Sequence, residues 1–255
     1  KNYWANEILK KVILIPSRLQ SERLPEKPLK LIGDKTMIRR VYEAAKKSEA
    51  DNVVVATDAE KIFEEVKNFG GTALMTKSDH TNGTERIFEA SEILDLKDED
   101  YVVNLQGDEP FTDPIDLNKI FSALENNECQ IVSLFTDFKK ESDLDDLNKV
   151  KVELNGSKAK LFYRAIKDGS DNPFLHLGVY GFRYEALRRF VALPKTENEV
   201  SLKLEQLRAL DNNIQIHMVK SEAKIHLGID TVKDLEQANK LIVNEKKSDL
   251  PPLKT

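Results

Sequence analysis

Val102-Val103-Asn104-Leu105-Gln106-Gly107-Asp108-Glu109-Pro110 is the stretch from which the rest of the chain can be read. A short apolar run ends on a glycine, two carboxylates and a proline. That is the length of a buried strand followed by the turn that stops it. In an open α/β sheet, ligands bind just beyond the carboxyl ends of the strands. Asp108 therefore stands where chemistry is usually done, although aspartate in such a place also serves as a plain turn or capping residue.

The flanking sequence repeats the pattern. Val12-Ile13-Leu14-Ile15-Pro16 and Val53-Val54-Val55-Ala56 read as strands. Between them a basic, proline-interrupted loop leads to a helix over 37–47, with Met37, Val41, Ala44 and Ala45 on one face. Thr57-Asp58-Ala59-Glu60 reads as a capping box for a helix that carries Ile62, Phe63, Val66 and Phe69 and stops at Gly70-Gly71. A short strand over 73–75 leads through a polar loop to a helix that buries Ile87, Ala90 and Leu94. Downstream come a helix near 114–124 and a strand over 131–135. Strands alternating with helices predict βαβ units, a largely parallel sheet and right-handed crossovers.

After Thr136 the pattern changes. Val150, Val152 and Leu154 alternate, Asn155-Gly156 signals a hairpin, and 159–164 returns. Residues 175–182 form another strand, so 150–182 reads as antiparallel additions to the parallel half. Helices over 184–191 and 199–210, a strand through Ile214, Ile216 and Met218, and a last helix after Ile229-Asp230-Thr231 complete the chain. Thr231-Val232-Lys233-Asp234 has the form of that helix's capping box. The resulting division is one domain over 12–244, with halves 12–136 and 137–244 and terminal extensions 1–11 and 245–255.

The 255 residues are ample for a core, and 40% hydrophobic with 33% charged residues is the balance of a globular chain. A net charge of -5 argues against a nucleic-acid partner. No apolar run is long enough to span a bilayer, and 1–11 has no secretory h-region. The single cysteine, Cys129, excludes an intrachain disulfide and is compatible with a reducing cytoplasm.

Arg18, Arg23 and Lys27 crowd the loop after the first strand, an arrangement suited to a polyphosphate as well as to an ordinary solvated surface. Neither a P-loop nor a Gly-x-Gly-x-x-Gly pattern is present. Asp108 and Asp230 both fall at expected strand ends. Two carboxylates plus substrate phosphates are a common magnesium arrangement, while Asp230 alone would pass for an N-cap. His176, alternating with apolar neighbours, reads as a packed histidine as readily as a functional one. Arg86 lies near a helix start, an end that favours anions, so an anion beside it would explain the placement.

Several motifs occur together and in order. Ile15-Pro16-Ser17-Arg18 followed by Arg23-Leu24-Pro25-Glu26-Lys27-Pro28-Leu29 is the first, with Val55-Ala56-Thr57-Asp58 and Met75-Thr76-Lys77-Ser78-Asp79-His80 after it. Then come Gly83-Thr84-Glu85-Arg86, the stretch 104–110, His176-Leu177-Gly178-Val179-Tyr180, Leu204-Glu205-Gln206-Leu207-Arg208 and Gly228-Ile229-Asp230-Thr231. From about Val12 to Ile242 this set resembles the 3-deoxy-manno-octulosonate cytidylyltransferase family, the CMP-Kdo synthetases. The resemblance implies a Rossmann-like nucleotide-diphospho-sugar transferase fold with a mostly parallel central sheet. It implies CTP and 3-deoxy-D-manno-octulosonate (Kdo) as substrates, Mg2+ as cofactor, a homodimer, and a role in bacterial cytoplasmic lipopolysaccharide synthesis.

By the same resemblance, Arg18 and Lys27, with Arg23 and Ser17 beside them, hold the CTP phosphates. Ala56, Asp58, Met75, Thr76 and Gly83 frame the cytosine and ribose, with Gln106 nearby. Arg86, Gln106, Tyr163, Arg164, His176, Glu205 and Gln206 surround the sugar acid, Arg86 facing its carboxylate. Asp108 and Asp230 carry magnesium. The chain departs from the family pattern at Glu26, where glycine is usual, at Asn82, where serine is common, and after Ile166, where the segment to His176 is short. Another sugar acid (8-amino-Kdo, a sialic or a pseudaminic acid) or a non-catalytic nucleotide-binding homologue are the competing readings.

Overall fold

The structure is a computed structural model that describes residues 9–166 and 172–248, and the side chains of these up to residue 243. The extensions expected at 1–11 and 245–255 lie mostly outside the described residues. Of what is described of them, Lys11 opens the first strand and 245–248 end the last helix. The short segment after Ile166 falls largely in 167–171, also outside the description.

The elements run β1 (Lys11–Ser17), β2 (Leu31–Ile32), β3 (Lys35–Thr36), α1 (Met37–Ala45), β4 (Asn52–Thr57), α2 (Glu60–Asn68), β5 (Ala73–Met75) and α3 (Gly83–Ile93). They continue with β6 (Tyr101–Asn104), α4 (Pro114–Leu124), β7 (Ile131–Thr136), β8 (Lys151–Asn155), β9 (Lys158–Tyr163) and β10 (Phe174–Arg183). The last are α5 (Tyr184–Ala192), α6 (Glu197–Leu202), α7 (Leu207–Asp211), β11 (Ile216–Lys220) and α8 (Val232–Ser248).

Nine strands form one sheet in the order β5-β4-β1-β6-β10-β7-β11-β9-β8. Both faces are covered along β1, β4, β6 and β7, which is why these strands are nearly continuous in apolar residues. On β1, Val12 and Leu14 enter one core layer with Ile87, Ala90 and Phe190, while Ile13 and Ile15 enter the other with Val41, Ile62 and Phe121. Pro114 opens α4 where a missing N–H costs nothing, and Asp113 caps it by accepting from Ile115 N–H at 2.9 Å.

The expected parallel pairings are present: β1 lies parallel to β4 and β6, and β11 to β7. The antiparallel strands are not all additions at an edge. β10 runs antiparallel between β6 and β7 in the middle of the sheet, so the two halves of the chain interleave. Its first residues also pair with β8, which closes β10, β7, β11, β9 and β8 on themselves.

Four local expectations are corrected. Thr57 Oγ1 accepts from Ala59 N–H at 3.2 Å, yet α2 has no side-chain cap, so the capping box there is absent. Asn155 is the last paired residue of β8, and the hairpin turns on Gly156-Ser157. The helix expected over 199–210 is two helices, broken at Lys203 with φ 52°. Asp230 follows no strand: it sits in the loop between β11 and α8. The capping box at Thr231 and Asp234 forms in both directions, at 2.8 and 3.3 Å.

Candidate active site

The chain leaves β1 toward β4 on one side and later returns to β6 on the other. The carboxyl ends of β1 and β6 therefore flank a topological switch point, the usual ligand crevice of an open α/β sheet. Gly107 is packed so closely on Pro16 and Ser17 that a Cβ would stand 3.1 Å from Pro16 O. The basic loop is clamped from beyond the sheet. Leu24, Ile32 and Met37 form a small core with Ile229, Ala238 and Ile242, and Asn239 Oδ1 accepts from Gly33 N–H at 2.8 Å.

These contacts bring three remote residues together. Lys27 Nζ donates to Asp108 Oδ2 at 2.6 Å and to Asp230 Oδ1 at 2.9 Å. Ile229 N–H donates to Asp108 O at 2.9 Å, so the two acidic segments are tied through the backbone as well. Arg23 reaches Asp230 Oδ2 at 3.1 Å. Burial alone would lower the Lys27 pKa, but Asp108 and then Asp230 outweigh it and hold the ammonium above its ordinary range. Burial would raise Asp230, and Lys27 and Arg23 outweigh it in the opposite direction. Among the described residues Glu109 makes no ion pair. Burial first, then the charges of Asp108 and Asp230, outweigh the opposing charge of Lys27 and push its carboxyl up to about 8.

Two cavities meet here. One, of about 820 Å³, is walled by Ser17, Arg18, Lys27, Gly83, Arg86 and Asp108. The other, of about 670 Å³, is walled by Glu109, Arg164, His176, Tyr180, Glu205 and Gln206. Arg23, Gln106 and Asp230 line both. Each cavity has a buried oxygen without a hydrogen-bond partner, Ser17 Oγ in the first and Glu205 Oε1 in the second. A relay links the two sides. Gln106 Nε2 donates to Asn104 Oδ1 at 3.0 Å, Asn104 Nδ2 donates to Thr84 Oγ1 at 3.4 Å, and Thr84 donates to Glu205 Oε2 at 2.9 Å.

A sequence model of the cytidylyltransferase family matches residues 12–248. The chain belongs to this cytidylyltransferase family. It is 38% identical over 245 residues to the 3-deoxy-manno-octulosonate cytidylyltransferase of Flavobacterium johnsoniae, covering 92% of this chain and 99% of that one. It is 41% identical over 238 residues to the enzyme of the same name from Methylorubrum extorquens, covering 91% and 96%. A CMP:2-keto-3-deoxy-manno-octonic acid synthetase solved in complex with CTP superimposes with a TM-score of 0.86 at 32% identity, covering 92% and 99%.

In this cytidylyltransferase, then, Ser17, Arg18, Arg23, Lys27, Gly83 and Gln106 reach the first cavity, and Gln106, Arg164, His176, Glu205 and Gln206 the second. The others stand elsewhere. Arg86, expected beside the sugar acid, is on the wall of the first cavity. Its guanidinium is buried, so it has to be paired, and it donates to Thr76 Oγ1 at 2.6 Å, Asp58 Oδ2 at 3.0 Å and Lys77 O at 3.2 Å. Asp58 and Thr76 therefore act behind Arg86 rather than on the wall. Ala56 is in the core, Met75 is exposed, and Tyr163 is buried with its hydroxyl 3.2 Å from Glu153 Oε1. Arg164 donates to the carbonyls of Leu147, Leu202 and Lys203 at 3.1 Å each, holding that wall together. Asn82 caps α3 by accepting from Glu85 N–H at 2.8 Å, so it replaces serine in kind. Glu26 does sit in the left-handed region, at φ 52°, and its carboxylate turns outward to Lys61 at 2.7 Å.

Sequence reasoning gave no role to Glu109 or to Asn104. Glu109 could have been suspected from Gly228, where a Cβ would stand 2.9 Å from Glu109 Oε1. Asn104, the only polar residue in the β6 run, was the visible sign of the relay.

Proposed function

We propose that this chain transfers CMP from CTP to the anomeric hydroxyl of Kdo, releasing pyrophosphate, and that it does so as a cytoplasmic homodimer serving lipopolysaccharide synthesis. The observation that carries the reading is the convergence of Lys27, Asp108 and Asp230 where the two cavities join. The names of the relatives supply the substrates.

Arg18, Arg23 and Lys27 suit the triphosphate in the first cavity, and Ser17 Oγ offers it an unused hydroxyl. The unpartnered Glu205 Oε1 suits a sugar hydroxyl in the second. The attacking oxygen bonds to the α-phosphorus as the bond to pyrophosphate breaks, and the hydroxyl proton passes to solvent. Catalysis in such a step is mostly positioning and charge neutralisation.

Asp108 and Asp230 fit Mg2+, because their oxygens already share one cation, the Lys27 ammonium. Among the described residues no group of three or more His, Cys, Asp or Glu could hold a metal alone. Two carboxylates completed by substrate phosphates and water suit this ion. When bound, Mg2+ would neutralise phosphate charge and acidify the attacking hydroxyl. Exposed Leu147, Leu161, Ile166 and Leu202 lie around Arg164 and β9 and support a dimer contact there. No described helix is long and apolar enough to cross a membrane.

The test is pyrophosphate release from CTP, Kdo and Mg2+, with other sugar acids and other nucleotides in parallel. Release only with a different nucleotide or acid at millimolar substrate overturns the reading. Tight CTP binding without turnover would favour a non-catalytic homologue.

A further inference from the structure

β10 pairs with β7 through a bulge. Leu177 faces Leu134 and Tyr180 faces Ser133, so Gly178 and Val179 are left outside the ladder. A bulge leaves backbone groups to be satisfied by other means and re-aims the side chains around it. Here Ser133 supplies the means. Its Oγ stands 2.9 Å from Val179 O and 3.3 Å from Leu177 O. The same oxygen stands 2.9 Å from His176 Nε2, and Ser133 is fully buried.

A serine hydroxyl has one hydrogen. Were Nε2 unprotonated, it and the two carbonyls would compete for that single hydrogen; with the proton on Nε2, the imidazole donates to Ser133 Oγ and the hydroxyl hydrogen is left for a carbonyl. The arrangement that satisfies the most groups therefore puts the ring's proton on Nε2. The ring stays neutral, since burial pushes its pKa down to about 3. Its edges are fixed by Phe162 and Tyr180, with centroids at 4.9 and 5.5 Å. Among the described residues Nδ1 has no hydrogen-bond partner, and His176 lines the second cavity.

We propose that Ser133 is a positioning residue that locks His176 in the Nε2–H tautomer, so that Nδ1 presents a bare acceptor to the second cavity. The group it recognises is a hydroxyl of the acceptor sugar, never its carboxylate, because a carboxylate would set lone pairs against a lone pair. The acid end of the substrate is thereby left to the cations that line the same cavity, Arg23, Lys149, Arg164 and Lys203. This inference rests on reading the second cavity as the sugar-acid site.

The test has two arms. In histidine-selective 15N-labelled protein at neutral pH, the resonances of His176, assigned by their loss in His176→Gln, should show a protonated Nε2 and an unprotonated, pyridine-like Nδ1. A ring protonated at Nδ1, or at both nitrogens, overturns the proposal, and this arm needs only the wild-type chain. In the second arm, Ser133→Ala should populate both tautomers and, where they become equally populated, raise KM for the sugar acid about twofold, the factor by which the competent ring is diluted, with KM for CTP nearly unchanged. An unaltered tautomer in Ser133→Ala, or equal effects on both substrates, overturns it. Absence of any transfer to Kdo by the wild-type enzyme overturns the substrate reading instead, and is told apart by the first arm.

Discussion

Replacing Lys27 with methionine keeps the unbranched apolar stem to the ε position and removes the ammonium that Asp108 and Asp230 share. The two oxygens now on Nζ can be no farther apart than about 5.5 Å, the two bonds laid end to end. At an effective dielectric of about 20, two unit charges at that separation repel by roughly 3 kcal/mol. The side chains of Asp108 and Asp230 are 30% and 48% exposed, and Arg23 still reaches Asp230. Solvent screening therefore reduces the expected loss of stability to about 1–2 kcal/mol.

The pH dependence of that loss is the sharper test. Asp230 has its pKa depressed in the folded chain, so its contribution is present above its ordinary value of 3.8 and disappears as pH falls through the lower folded value. Lys27 has its pKa raised, so its contribution is present below the ordinary 10.5 and disappears as pH rises through the higher folded value. Urea unfolding of wild type and Lys27→Met, in chelator and low salt, should show a gap that is flat between those limits and closes at both. The gap should also shrink in about 1 M salt, where the screening length is near 3 Å. A methionine variant as stable as wild type at neutral pH, or a gap that widens as pH falls below 3.8, would refute the bridging role.

If the proposed Mg2+ site is right, Asp108→Asn and Asp230→Asn should each lower pyrophosphate release by at least about 100-fold, since each would remove a ligand from a metal worth several kcal/mol to the transition state. Gly181→Ala drives a Cβ into Ile120 Cγ2 where α4 lies on β10, so it should cost about 1–3 kcal/mol of stability, part of it recovered in the Gly181→Ala/Ile120→Ala double variant. Glu26→Gly should raise the thermal midpoint by relieving the left-handed backbone, whereas Glu26→Ala, which keeps φ 52° and loses Lys61, should lower it.

The parts of this molecule legible in the sequence are those set by local rules. The runs 12–16, 53–56 and 131–135 are apolar enough to be strands, and Thr231 with Asp234 announces its own cap. The break at Lys203 carried no such mark, because neither glycine nor proline stands there. It is imposed by a tertiary contact: Arg208 on α7 folds back onto Glu199 on α6, with Nε to Oε2 at 2.8 Å. Arg86 shows the same limit. Its position near a helix start pointed to an anion, and one anion beside it is Asp58, brought in just after β4 and invisible to spacing. The pairing of Asp108 with Asp230 was inferred from motif order and is realised through Lys27, a contact across 203 residues.

The central place of β10 explains why two cavities rather than one open at the switch point. In a wholly parallel sheet, each strand ends at the crevice and only loops continue beyond it. β10 runs the other way. Tyr180 is paired with Asn104, the last residue of β6, so the residues before Tyr180 extend past the carboxyl edge while still bonded to β7 and β8. His176 is thus held above the crevice on paired strand, beside a bulge where Ser133 Oγ lies 2.9 Å from Val179 O. A wall on regular structure fixes side-chain geometry more tightly than a loop can. The phosphate side, by contrast, is built on the loop after β1 and clamped by α8. The side assigned to the acceptor therefore stands on paired strand, and the side assigned to the triphosphate on a loop whose position depends on its packing against α8.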